Sequence, residues 1–243
     1  MNIYALGDLH FSFENKVSDL GKGNKQHKPM DCFGEKWQNH FMKIYRNWNK
    51  NIGEQDYILI PGDISWAMDL QDAAADLHFL QLLKGKKIIL KGNHDYWWNS
   101  INRVREALPD NCFALQNDSL LINNIAVAGT RGWQVPGTDN FSEHDQKIFD
   151  REVNRLQLSL DSINKKCRKK IVMFHYMPVN PSFEKNSLIE VLLKREVDLC
   201  IYGHLHGQQA HELALQGSKW GIDFKLVSAD YLDFTPRLLM ENK

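Results

Sequence analysis

Five short apolar runs in this chain end in the same kind of polar group. Ile3 to Leu6 leads into Gly7-Asp8-Leu9-His10, and Tyr57 to Ile60 into Pro61-Gly62-Asp63. Lys87 to Leu90 leads into Gly92-Asn93-His94-Asp95, Ile171 to Phe174 into His175, and Leu199 to Tyr202 into Gly203-His204-Leu205-His206. Apolar runs of this length, bounded by turn residues, read as buried strands. Ligands of open α/β sheets bind at the carboxyl ends of strands, so five such ends can bring these side chains into one crevice. Asp8 and His10 are two residues apart, as are His204 and His206. In extended chain such pairs face the same side. Gly7, Gly62, Gly92 and Gly203 stand just before the polar residues, where glycine permits the turns that aim side chains across a strand end.

Between the runs lie stretches with helical spacing. Trp37, Phe41, Ile44, Tyr45 and Trp48 form one apolar face, and Leu70, Ala73, Ala74, Leu77 and Leu80 another. Ile148, Val153, Leu156 and Leu160 follow Ser142-Glu143-His144-Asp145, which reads as an N-terminal capping region. Leu188 to Leu193 is a further helix. Asn111 to Gln116 and Leu120 to Ala128 read as a pair of strands, Lys219 to Val227 as one strand, and Arg237 to Met240 as another. Strands alternating with helices indicate a layered, mixed α/β domain, and 243 residues suit one large domain spanning 1–243.

Composition narrows the functional classes. Thirty basic and thirty acidic residues cancel, so no global field draws nucleic acid or an anionic membrane. Four scattered cysteines, Cys32, Cys112, Cys167 and Cys200, argue against a thiolate metal site and a disulfide framework. No signal-peptide pattern opens the chain and no apolar run is long enough to span a bilayer. We therefore expect a cytoplasmic protein with reduced thiols. Carboxylate, imidazole and amide donors without thiolate suit Mn, Fe, Zn or a similar divalent ion.

The ordered motifs GDLH, GD, GNHD, a later His and GHLH resemble the calcineurin-like metallophosphoesterase superfamily, and within it a bacterial branch of predicted phosphohydrolases. The resemblance runs from Asn2 to about His211. It implies a four-layered α/β/β/α sandwich, two mixed sheets flanked by helices. It also implies two divalent metal ions: one bound by Asp8, His10, Asp63 and His206, the other by Asp63, Asn93, His175 and His204, with Asp63 bridging. The implied reaction is hydrolysis of a small phosphomonoester or phosphodiester, a nucleotide among them, by a hydroxide shared between the metals. Asp63, Asn93 and His94 would be the catalytic residues, with His94 as general acid. A nuclease of the same superfamily and a noncatalytic interaction module on the same fold are the alternatives. Phosphoprotein phosphatases carry GDxxDRG, whereas Gly62-Asp63-Ile64-Ser65 is followed here by Trp66, which argues against that activity.

Several residues are read against their ordinary structural roles. Asp95 is expected to cap the following helix rather than to orient His94. Arg131 is expected to be a solvated loop arginine, with a phosphate clamp as the alternative. Trp97 and Trp98 are expected to be buried. Lys165, Lys166, Arg168, Lys169 and Lys170 are expected to form a solvated helix end. His211 is a candidate for a place beside the metal ligands. Ser12 to Glu35 and Gly129 to Asn140 are long polar loops, the first a surface loop or a flap over the site.

Overall fold

The structure, a computed structural model, describes residues 1–17 and 25–241; Ser18 to Asn24 of the first long loop lie outside it. In chain order the elements are β1 (Asn2–Ala5), α1 (His40–Asn51), β2 (Tyr57–Ile60), α2 (Leu70–Leu82), β3 (Lys86–Leu90), α3 (Ile101–Ala107), β4 (Cys112–Leu115), β5 (Ser119–Ile122), β6 (Ile125–Thr130), α4 (Glu143–Asp161), β7 (Lys169–Phe174), α5 (Ser187–Lys194), β8 (Leu199–Tyr202), α6 (Gln208–Glu212), β9 (Gly217–Lys219), β10 (Ile222–Leu226) and β11 (Arg237–Glu241). They build two mixed sheets, one of five strands in the order β11-β1-β2-β3-β4 and one of six in the order β5-β6-β7-β8-β10-β9. The inner strands of each sheet run parallel. The antiparallel partners β11, β5 and β9 lie at the edges.

The layering follows from side-chain alternation along the strands. Ile3, Ala5, Leu59, Ile88, Ile171, Met173 and Ile201 point into a dry core between the sheets. Their neighbours point the other way: Tyr4, Ile58 and Ile60 pack against Phe41, Ile44 and Trp48 of α1 and Leu77 and Leu80 of α2. On the far side, Val172, Phe174, Cys200 and Tyr202 meet α4 and α5 through Phe149, Leu156, Leu188 and Leu192. Strands apolar on both faces are what a sheet covered on both sides requires. The result is the expected α/β/β/α sandwich. Among the described residues, no helix is long and apolar enough to cross a membrane.

Four local expectations are corrected. Asn111 to Gln116 does not pair with Leu120 to Ala128: β4 joins the first sheet beside β3, while Leu120 to Ala128 folds on itself as the β5–β6 hairpin of the second sheet. The chain changes sheets at Asn117, whose φ of 62° is a conformation asparagine tolerates. The run Lys219 to Val227 is broken at Trp220 and Gly221, with φ of 55° and 85°, the backbone of a tight hairpin turn. Helix α1 starts after Asn39, so Trp37 sits in a preceding 3₁₀ turn. The basic run does not end a helix: α4 stops at Asp161, and Lys169 and Lys170 begin β7. The capping region does what was expected, with Ser142 and Asp145 bonding reciprocally at the start of α4.

Candidate metal centre

All the parallel strands present their carboxyl ends to one edge of the sandwich. There the loops after β1 and β2, and those after β7 and β8, join through main-chain bonds, and the Asp8, Asp63 and Asp95 carboxylates tie in the rest. Asp8 N donates to Gly62 O (3.0 Å), His10 N to Asp63 O (3.0 Å), and Gly203 N to His175 O (3.1 Å). Gly7 bridges to Ser228, just past β10, so the two sheets are joined beside the site. Asp8, His10, Asp63 and His204 have φ of 57°, 48°, 53° and 69°. This left-handed backbone costs about 1 kcal/mol or more per non-glycine residue and clusters at functional sites. The strain falls on the candidate ligands themselves. Only Gly62 (φ 94°) among the preceding glycines is there for its φ. A Cβ on Gly203 would lie 2.4 Å from Asp8 Oδ2 and one on Gly92 would lie 2.1 Å from Asp63 Oδ1, so those two glycines make room for the carboxylates.

The seven residues expected as ligands all meet. His10 Nε2 lies 3.4 Å from His206 Nε2 and 3.7 Å from Asp63 Oδ2. His175 Nε2 lies 3.5 Å from Asp63 Oδ2, 3.2 Å from His204 Nδ1 and 2.6 Å from Asn93 Oδ1. His206 Nε2 is 3.8 Å from Asp8 Oδ1. Two donor groups result, Asp8 with His10 and His206, and Asp8 with Asp63 and His175. Asp8 belongs to both, and Asp63 lies within reach of a histidine of each.

The donor chemistry fits divalent cations. His175 Nδ1 sits 3.0 Å from Pro61 O, so its proton is held there and Nε2 presents a lone pair. That lone pair faces the carbonyl oxygen of Asn93 at 2.6 Å, an arrangement of two acceptors that a cation between them reconciles. Burial holds His175 down to about 3 and His204 down to about 2, and keeps His10 well below the ordinary histidine range. These are neutral imidazoles ready to ligate. Burial raises Asp8 to about 7, with Asp63 adding to it, and raises Asp63 to about 6. Crowded, desolvated carboxylates of this kind are relieved by a bound metal.

The family model of the calcineurin-like phosphoesterases matches residues 1–208. The chain belongs to that family. A curated relative, the uncharacterised protein MJ1445 of Methanocaldococcus jannaschii, is 22% identical over 129 residues, which is 50% of this chain and 66% of that protein. This chain thus matches just under two thirds of that relative's length. Two solved structures share the fold. The protein of unknown function AQ665 from Aquifex aeolicus has a TM-score of 0.51 at 16% identity, covering 98% of this chain and 95% of its own. The phosphopantetheinyl hydrolase PptH from Mycobacterium tuberculosis has a TM-score of 0.55 at 12% identity, covering 99% and 96%.

Around the donors, this calcineurin-like phosphoesterase places residues that sequence reasoning assigned otherwise or passed over. Asp95 neither caps α3, which begins after Ser100 without a side-chain cap, nor bonds His94. It is fully buried and accepts from the amides of Asp63, Ile64, Ser65 and Gly92 and from Trp97 Nε1, pinning the GD and GNHD loops together. Burial and Asp63 raise it to about 6. Asp230 is a missed residue: it accepts from His206 Nδ1 (2.9 Å) and Gly207 N (3.0 Å), and His211 Nε2 lies 3.4 Å away. Burial opposes a charge on His206, but the bond from Asp230 and the charges of Asp8 and Asp230 carry it up to about 9. Nothing in its local sequence, Ala229-Asp230-Tyr231, marks Asp230 out. Trp66, where the phosphoprotein phosphatases have an acid, stacks 4.9 Å from His10 and lies 4.2 Å from His94.

The first long loop is anchored at both ends. His27 N donates to Ser12 O (2.9 Å) and Glu14 N to Lys25 O (3.1 Å), and Met30 and Trp37 are buried. Met30, Phe33, Lys36, Trp37 and Trp66 wall a cavity of about 410 Å³ whose floor includes His10, His94 and His206. Residues 25–37 therefore cover the site as a flap. Arg131 is half-buried rather than solvated, its guanidinium 4.7 Å over the ring of Trp133. Trp97 and Trp98 are buried as expected.

Proposed function

We propose that the chain hydrolyses a small phosphomonoester or phosphodiester, nucleotides included, with two divalent cations of the Mn, Fe or Zn type. Asp8, His10, Asp63 and His206 would hold one, and Asp63, Asn93, His175 and His204 the other. The observation that carries this is the pair of facing acceptors, His175 Nε2 and Asn93 Oδ1, beside the neutral imidazoles of His10 and His204 and the crowded carboxylates of Asp8 and Asp63. Asp8 and Asp63 are both placed to be shared between the two groups. When bound, the cations supply an activated water and neutralise charge on the phosphoryl oxygens.

The chain's own groups account for the remaining work. Asn93 can turn its amide N–H₂ towards a phosphoryl oxygen while its carbonyl faces His175. His94 has its main-chain N–H on Asp63 Oδ1 at 2.8 Å, which fixes the residue at the cavity floor. Its imidazole is the general acid for the leaving oxygen. Burial lowers His94 and Asp63 counters it, so the negative charge of a bound phosphate helps it keep the proton. The cavity beside it receives the leaving group, and its aromatic walls exclude water there. We also read 1–243 as one domain, because β10 and β11, beyond residue 208, complete the two sheets.

The test is metal analysis of the purified protein, then assays of metal-loaded protein on nitrophenyl phosphate, its bis-ester, cyclic nucleotides and single-stranded DNA. Turnover of the small esters is expected to depend on added cation and to vanish with chelator. Preference for the DNA would favour a nuclease. Bound metal without turnover of any ester would overturn hydrolysis and favour an interaction module.

A further inference from the structure

A second pocket lies behind the metal centre, where the carboxyl ends of β3, β4 and β6 meet α4. It has a volume of about 230 Å³, and Lys91, Gln116, Thr130, Arg131, Arg151 and Arg155 are among its lining residues. None of these belongs to the proposed ligand set. Four are cations. The carboxylate at their back, Glu152, is fully buried and already divided: it accepts from Thr130 Oγ1 (2.5 Å), Gly132 N (3.3 Å) and Arg155 Nη1 (2.8 Å). At full ionisation the pocket keeps an excess of about three positive charges over Glu152.

Arg131 is the centre of the imbalance. Its Nε is buried with no hydrogen-bond partner, and among the described residues its guanidinium makes no hydrogen bond. It rests instead on the Trp133 ring. Arg151 and Arg155 line the same pocket, so three guanidinium groups gather there. Lys91 spends one donor on Trp98 O at 2.6 Å. Buried donors left unpaired and like charges gathered in a concavity are both unfavourable. They recur in proteins where an oxyanion completes the site, and guanidinium forks with an ammonium suit a phosphate. The main chain connects this pocket to the metal centre, since Arg131 O accepts from His175 N (3.0 Å) and Tyr176 N (3.1 Å).

We infer that Lys91, Arg131, Arg151 and Arg155 form a second, metal-independent binding site for a phosphate-type oxyanion. The group is either a second phosphate of the substrate or a free anion acting on the enzyme. The site does not rest on the hydrolytic reading, and its first test avoids turnover. Inorganic phosphate is titrated calorimetrically into full-length protein stripped of metal by chelator. Saturable binding of one phosphate per chain is expected, with Arg131→Gln and Arg151→Glu each weakening it tenfold or more. Arg151 is exposed on α4, so its variant should keep the wild-type melting temperature. No saturable binding, or equal affinity in wild type and both variants, would overturn the site. The source is then separated on metal-loaded enzyme. If the anion belongs to the substrate, Arg151→Glu raises KM about tenfold for an ester carrying a second phosphate and leaves nitrophenyl phosphate unchanged. If it is a separate anion, phosphate alters nitrophenyl phosphate turnover in the wild type beyond the product inhibition that the variant retains.

Discussion

His94 and Asp230 divide the work around the donors, and each can be removed separately. His94 lies at the cavity floor beside Trp66 and outside both donor groups. Replacing it with alanine should lower turnover about a hundred- to ten-thousandfold and leave metal content, read by elemental analysis, at the wild-type level. Loss of metal would show it to be a ligand. Asp230 acts through His206, fixing its tautomer and aim from Nδ1. Asp230→Ala should weaken metal affinity about ten- to a hundredfold, measured by competition with a chromophoric chelator, while turnover at saturating metal falls much less. That these seven donors would gather at one place was legible in the sequence, because short-range spacing after a strand carries that message. Asp230 was not, because its role arises only when the chain after β10 returns beside Gly7. Asp95 was legible as important but misread. Its five donors come from two different loops, and sequence shows only its position before Tyr96.

At the scale of elements, the flap depends on one buried carboxylate. Asp76 of α2 accepts from Phe13 N at 2.7 Å and from the Ser65 hydroxyl, tying the base of the first long loop to the turn that carries Asp63. Burial raises it to about 7, against the ordinary carboxylate value of 3.8. The folded protein therefore binds more protons than the unfolded chain between those values. This contribution is fully present below about pH 4 and is lost as pH rises through 7. Asp76→Asn removes the titration, so the stability difference between variant and wild type should shift in the variant's favour from pH 5 to pH 8 in urea melts. An unchanged difference would show that Asp76 does not titrate in that window. The loop itself was ambiguous in sequence, since a polar, glycine-containing stretch looks alike as a solvated loop or a flap. Met30 and Trp37, buried at its far end, settle the matter only in three dimensions. Arg131 was misjudged for a related reason: it shares a pocket with Arg151 and Arg155 of α4, a surrounding that its own loop does not reveal.

For the whole molecule, the metal centre couples protons to stability. A cation must displace protons from Asp8, raised to about 7, and from His206, raised to about 9. Affinity should therefore fall as pH drops below 7, by roughly tenfold per unit for each proton displaced. Manganese or zinc should raise the melting temperature more at pH 7.5 than at pH 5, read by differential scanning fluorimetry with and without chelator. An equal rise at both values would mean that no proton is displaced. The layered fold was the most legible feature at this scale. Continuous apolar strands require cover on both faces, and alternation along β1, β2, β7 and β8 divides them between the three cores. The split of β4 from the β5–β6 hairpin was not legible, because pairing choice among neighbouring strands is a tertiary decision.

The bridge from Gly7 to Ser228 has a consequence for synthesis. The strand that opens the site leaves the ribosome before the residues that lock it, Ser228 and Asp230. His204 N reaches back to Asp8 across 196 positions. A nascent or truncated chain holds scattered donors but no assembled centre. The donor set therefore comes together only after the chain has been made through Asp230, as a long-range assembly and not a local one.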